Sequence, residues 1–216
     1  MQANYVQRMR LTFSKEGPAR YIGHLDLART LERALNRARI PVSYTQGFNR
    51  RPRMQFAAAL PLGFTSTGEL ADIWLATEIA PQTLQEQLME KMAPGIDVWQ
   101  VEEVALKAPA LQNCTSAAQY AVLVGDLLSS SVLQERVNQL LQQEELWRER
   151  RGKRYDLRPL VLTLTLPAAE AGAQELLMWL DLRPGKSGRP DEVLAALGMD
   201  PLDLHIRRTA ITLDEN

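Results

Sequence analysis

The 216 residues hold one cysteine, Cys114, and two histidines, His24 and His205. A lone thiol excludes an internal disulfide, and it cannot by itself hold an iron-sulfur cluster or a structural zinc ion, which take several ligands. Cys114 therefore reads as a small buried or half-buried thiol. Long apolar runs are missing as well. Stretches such as residues 56–62 fall far short of the roughly 20 residues a membrane helix needs, and the N-terminus lacks the unbroken apolar core of a signal peptide. A soluble, cytoplasmic protein with no membrane association is expected. No segment is of low complexity, and no metal, nucleotide or flavin motif is present, so no cofactor is expected on this chain.

Hydrophobic content of 45% with 24% charged residues is that of a chain able to bury a core. The formal net charge of -1 hides an uneven division. Residues 1–56 carry eleven Arg and Lys against three acids, a balance of +8, so the remainder is acidic by nine charges. A concentrated basic face holds polyanions such as RNA whatever the molecular average. The first quarter is where function is expected.

Alternation over residues 5–13 reads as a half-buried strand, with Arg8 and Arg10 on the side opposite Met9, Leu11 and Phe13. Residues 25–39 place Leu27, Leu31 and Leu35 on one helical face and Arg29, Arg33 and Arg37 on another, and Pro41 closes the helix. Residues 42–45 and 54–60 read as extended, with a turn at Gly47, and residues 70–79 as a strand. A helix over 81–92 begins at Pro81 and ends at Pro94 and Gly95, before an extended run over 98–106. The order then repeats: strand 118–124, helix 130–147, strands 155–166 and 175–182, short helix 190–197, strand 204–213. Two consecutive β-α-β-β-α-β units give an α+β fold of two tandem ferredoxin-like domains, antiparallel sheets with helices on one face. They are placed at residues 1–107 and 112–216. Trp74, Trp99 and Trp179 sit in strand patterns and are expected in the core.

The stripe of Arg29, Arg33 and Arg37, with Arg20 before it and Arg50, Arg51 and Arg53 on the loop after Gly47, is a candidate site for RNA or another anion. Tyr44 and Phe48 are available for base stacking. The plain alternative is a solvated helix face. A second basic cluster surrounds Trp147 and Tyr155, and from it Arg154 and Arg158 join the candidate set. Asp156 and Arg158, two apart in a strand, are expected to pair with each other or to line a pocket. His24, beside Asp26 near a helix start, is the candidate catalytic residue, as general acid or base in RNA cleavage. Its alternative role, with Asp26, is helix capping or ligand positioning. His205 is expected to be structural.

Four blocks carry a family resemblance: Phe13-Ser14-Lys15; Arg20 through His24 to Asp26; Gln46-Gly47-Phe48-Asn49 with Arg50, Arg51 and Pro52; and Leu60 to Glu69. Lys153 to Pro159 adds a fifth. Together they closely resemble the radical-SAM-linked family of bacterial proteins, whose domain occurs beside, or fused to the C-terminus of, radical S-adenosylmethionine proteins. Arg50 stands where the family usually has proline. The resemblance implies partnership with a radical S-adenosylmethionine protein, and with no three-cysteine motif here any cluster chemistry belongs to that partner. Three functions follow for test: a non-catalytic accessory protein that binds RNA or presents a substrate to the radical enzyme, a metal-independent endoribonuclease using His24, or a protein-protein adaptor with a basic docking face.

Overall fold

The computed structural model describes residues 5–46, 48–167 and 174–214. Gly47, expected at a turn, lies outside them. The chain divides into two compact units, the first ending at Thr115 and the second running Ser116–Asp214. Both are α+β, with antiparallel strand pairs.

In the first unit the elements are β1 (Gln7–Lys15), α1 (His24–Arg37), β2 (Met54–Phe56), β3 (Thr65–Leu75), α2 (Pro81–Met89) and β4 (Ile96–Val104). Their strands lie in the order β4-β1-β3, with β2 on the far side of β3. The register sets Met9 against Ile73 and Leu11 against Ala71. With side chains alternating along each strand, these residues share the face on which the helices lie. The apolar stripe of α1, Leu27, Leu31, Ala34 and Leu35, packs there with Leu84 and Leu88 of α2 against Met9, Leu11, Phe13, Ile73 and Leu75. Burying each such large side chain contributes about 1.5–3 kcal/mol, which is why the periodicity of α1 dictates its orientation.

The opposite face of that sheet is not the solvated one the alternation predicts. Arg8 is 1% exposed and Asp72 is 0% exposed. Arg8 donates from Nε at 2.9 Å and from Nη2 at 2.5 Å to Oδ2 of Asp72. Arg10 donates from Nε to Oδ1 at 2.9 Å and from Nη2 to Oδ2 at 3.2 Å. The rest of the Arg8 fork is taken by the carbonyls of Ala108 at 2.6 Å and Pro109 at 2.9 Å. Burial disfavours the charge on Arg10, but its hydrogen bonds and attraction to Asp72 prevail, and the guanidinium is held above its ordinary value. Arg8 and Arg53 both lie over the ring of Trp74, at 4.8 and 4.7 Å, and Arg53 also covers Tyr5 at 4.4 Å. Two strand residues that read as solvated cations are thus internal struts.

The second unit contains β5 (Thr115–Leu123), α3 (Ser130–Gln142), β6 (Trp147–Arg150), β7 (Lys153–Asp156), β8 (Val161–Thr165), β9 (Glu175–Asp181), α4 (Pro190–Ala196) and β10 (His205–Leu213). The strand order is β10-β5-β9-β8, and β6 and β7 form a separate two-stranded ribbon. Its core includes Ala118, Tyr120 and Val122 from β5, Leu176, Met178 and Leu180 from β9, and Leu133, Val137 and Leu140 from α3.

Two boundaries here differ from the periodicity. The helix expected to reach 147 stops at Gln142, because Arg158 donates to the carbonyls of Leu141 at 3.0 Å and Gln143 at 3.1 Å while Asp156 accepts from the Leu146 amide at 2.8 Å. Long-range partners there supply the hydrogen bonds a helix end lacks. The strand expected over 155–166 is broken by a single turn, Arg158–Leu160, with Pro159 near its start, where the missing amide costs nothing. The expected Asp156–Arg158 pairing is replaced by these backbone contacts, apart from the Arg158 amide, which Asp156 accepts at 3.0 Å. Trp74 is core as expected at 3% exposure, whereas Trp99 is 50% exposed and donates to the Thr67 carbonyl at 3.0 Å.

Asp72→Asn keeps the volume and removes the charge that two guanidiniums share. It should lose about 3–5 kcal/mol of stability in urea unfolding, and a loss below about 1 kcal/mol would show that Arg8 and Arg10 find other partners. At Gly95 the backbone has φ +86°, and an added Cβ would lie 2.4 Å from the Glu16 carbonyl oxygen. Gly95→Ala should therefore cost more than about 1 kcal/mol, read as a lowered Tm; an unchanged Tm would contradict this packing.

Candidate nucleic-acid interface

The buried stripe of α1 leaves Arg29, Arg33 and Arg37 exposed along the opposite side. Their partners differ. Arg29 donates to Asp26 at 3.2 Å, with both side chains more than half exposed, and Arg37 donates to the carbonyl of Lys91 at 2.8 Å. An exposed pair of this kind holds little energy and yields readily to another anion.

A hairpin-like loop follows the helix. Arg53 donates its amide to the Ser43 carbonyl at 2.7 Å and Thr45 donates to the Arg51 carbonyl at 2.8 Å, with Tyr44 bridged to Pro52. Near its tip Phe48 is fully exposed, at 105%, and Arg50 and Arg51 are exposed beside it. The Tyr44 hydroxyl donates to Oδ1 of Asn36 at 2.9 Å. That bond ties the loop to the last turn of α1, between Arg33 and Arg37. Helix stripe and loop are therefore one surface. Arg53 is set apart from it, its guanidinium stacked on Tyr5 and Trp74.

Three of the motif blocks converge elsewhere in this unit, around Lys15, which is 1% exposed. Its ammonium lies 3.4 Å from the Arg20 carbonyl and 3.5 Å from the Phe64 carbonyl. Arg20 donates to the Gly63 carbonyl at 3.1 Å, the Gly63 amide returns a bond to the Arg20 carbonyl at 3.0 Å, and the Arg20 guanidinium covers Tyr21 at 5.2 Å. Arg20 thus joins two loops. Nothing in the alternation around Lys15 distinguished a buried ammonium from a solvated one.

His24 is the first residue of α1, half-buried, with its ring edge-on to Phe56 at 5.0 Å. The residue in the capping position is Gly23, which has no side chain to offer. Asp26 lies in the first turn, where its charge favours the helix dipole. His205 is exposed at the start of β10, and Cys114 is buried, its Sγ 3.6 Å from the Ala110 carbonyl.

In the second unit Arg154 lies over the Trp147 ring at 5.0 Å, and Arg148 pairs with Glu192 at 3.0 Å. The three hydrogen bonds of Arg158 to the carbonyls of Leu141, Gln143 and Val161 make it a strut beneath the ribbon. The sequence offered no sign of this, because its acceptors are backbone groups.

Among the described residues there is no cluster of His, Cys, Asp or Glu suited to a metal ion, and no helix long and apolar enough to cross a membrane. No curated protein matches the chain. Its fold is similar to chains in a crystal structure of a Cbf5-Nop10-Gar1 complex (TM-score 0.48, 11% identity, covering 98% of this chain and 51% of that one) and of the archaeal box H/ACA sRNP Nop10-Cbf5 complex (0.44, 11%, 94% and 48%). A third is an H/ACA RNP bound to a substrate RNA containing 2'-deoxyuridine (0.43, 13%, 93% and 46%). This chain spans about half the length of each of the chains it matches. A family model matches residues 8–190 under the description "Uncharacterized protein conserved in bacteria", and the chain belongs to that family, DUF2344.

Proposed function

We propose that this protein is a non-catalytic accessory protein that holds RNA by its phosphates on the α1 and loop surface of the first unit, in partnership with a separate radical S-adenosylmethionine enzyme. The observation that carries the RNA reading is the bond from Tyr44 to Asn36. It sets exposed Arg33 and Arg37 beside a loop that presents Phe48, Arg50 and Arg51 to solvent. Arginine forks and an exposed aromatic ring are what a single strand needs, charge for the backbone and a face for a base. Arginine charge dominates this surface, so binding is mainly through phosphates. The partnership rests on the resemblance of the motif blocks alone. Each unit is read further as ferredoxin-like, on the strength of the orders β4-β1-β3-β2 and β10-β5-β9-β8 with two helices in each unit.

The endoribonuclease reading is the alternative, disfavoured because His24 and Asp26, two apart on α1, do not face each other on a regular helix. The adaptor reading predicts an acidic protein in place of RNA on the same surface.

Single-stranded RNA binding should weaken in Arg50→Ala/Arg51→Ala, and the slope of log affinity against log salt should flatten by about 0.7 per lost phosphate contact. Arg53→Ala should leave the slope unchanged and lower stability through its lost stacking. Fluorescence anisotropy across a salt series reads both. Wild-type affinity and slope in the double variant would instead favour the adaptor. The wild-type chain should not cleave RNA in the absence of metal, and His24→Ala should keep its RNA affinity. General acid-base catalysis contributes about a hundredfold to ten-thousandfold, so wild-type cleavage abolished by His24→Ala would overturn the accessory role.

A further inference from the structure

We infer a second site, independent of the first unit's surface: a cavity of about 450 Å³ within the second unit that takes a phosphate monoester group. Arg150, Arg151 and Lys153 of the β6–β7 ribbon line one side, and Lys186 and Arg189 line another, against Asp156 as the only acid of the lining. The strand register sets Arg150 directly opposite Lys153, an arrangement that like charges disfavour. At the ribbon's turn Arg151 has φ +49° and Gly152 φ +73°. Two positive φ values make the tight turn that suits a twisted ribbon, and at the first of them glycine, asparagine or aspartate is the easy choice. An arginine there strains the backbone and adds a third cation. The like-charge juxtaposition is unfavourable until an anion sits among the cations.

The lining does not neutralise itself. Oδ1 of Asp156 already accepts from the amides of Leu146 and Arg158. Arg189 donates from Nη2 to Asp191 at 2.7 Å, while its Nε, like the Tyr155 hydroxyl on the same cavity, is buried with no hydrogen-bond partner. Burial, with Glu192 adding to it, raises the Tyr155 phenol above its ordinary value, so at neutral pH it remains a donor. The exposed cations of the lining match a ligand with several acceptor oxygens and two negative charges. A phosphate monoester has both, and the cavity has room for the sugar that bears it. The group can come from a free nucleotide or from the 5′ end of an RNA.

The test is titration of the ¹⁵N-labelled full chain with inorganic phosphate, adenosine 5′-monophosphate, and one oligoribonucleotide prepared with a 5′-phosphate or a 5′-hydroxyl. Phosphate and the nucleotide should shift the amides of Arg151, Gly152 and Lys186. Tighter binding of the 5′-phosphorylated RNA, by fivefold or more, identifies an RNA end as the source. Nucleotide binding with no such preference identifies the free nucleotide. Lys186→Ala should weaken phosphate at least fivefold. Arg151→Gly should do the same while keeping or raising the Tm, since glycine relieves the positive φ. Absence of shifts with every probe at millimolar concentration, or wild-type affinity in both Lys186→Ala and Arg151→Gly, overturns the inference.

Discussion

Asp72 lies wholly out of solvent between two arginines of the neighbouring strand, and much of the first unit follows from satisfying that one carboxylate. Its oxygens accept four hydrogen bonds from Arg8 and Arg10. A buried ion pair of this kind adds little net stability by itself, because desolvation offsets the attraction, but removing one partner strands the others. Arg8 has donors left over, and it places them on the carbonyls of Ala108 and Pro109. The segment after β4 is thereby fastened to the sheet face opposite the helices. Trp74 and Arg53 stack over the same cluster, so both faces of the sheet are covered: apolar side chains on one, charge and aromatic rings on the other.

That arrangement redistributes the basic charge of the first quarter. Arg8, Arg10 and Lys15 are internal or nearly so, and Arg20 and Arg53 are committed to loop and ring contacts. What remains in solvent is concentrated on one side of α1 and on the loop around Phe48. A smaller basic surface, more sharply defined than composition suggested, is left exposed. The same sorting holds in the second unit, where Arg158 closes a helix and Arg148 meets Glu192, while Arg150, Arg151 and Lys153 at the ribbon tip stay exposed.

Where burial is apolar, the sequence was readable. Leu27, Leu31 and Leu35 recur with the helical period and lie against the sheet, and the strand of Met9, Leu11 and Phe13 falls within two residues of its observed bounds. Polar burial was not readable. Alternation marks Arg8 as solvent-facing, because nothing local reveals that two strands will set their charges side by side. The same blindness moved the end of α3, which is fixed by Arg158 and Asp156 from farther along the chain. Of the candidate site, the α1 stripe and its loop were legible from spacing. Their union through Tyr44 and Asn36, and the separation of Arg53 from Arg50 and Arg51, depend on tertiary contacts that no window of sequence contains.

The proposal to test is that arginines in this protein divide into struts and an RNA-binding surface. It is tested most directly by following arginine Nε–Hε resonances of the ¹⁵N-labelled chain during titration with single-stranded RNA. Arg33, Arg50 and Arg51 should shift while Arg8 and Arg10 stay fixed. Shifts at Arg8 or Arg10 with none at Arg33, Arg50 and Arg51 would contradict it.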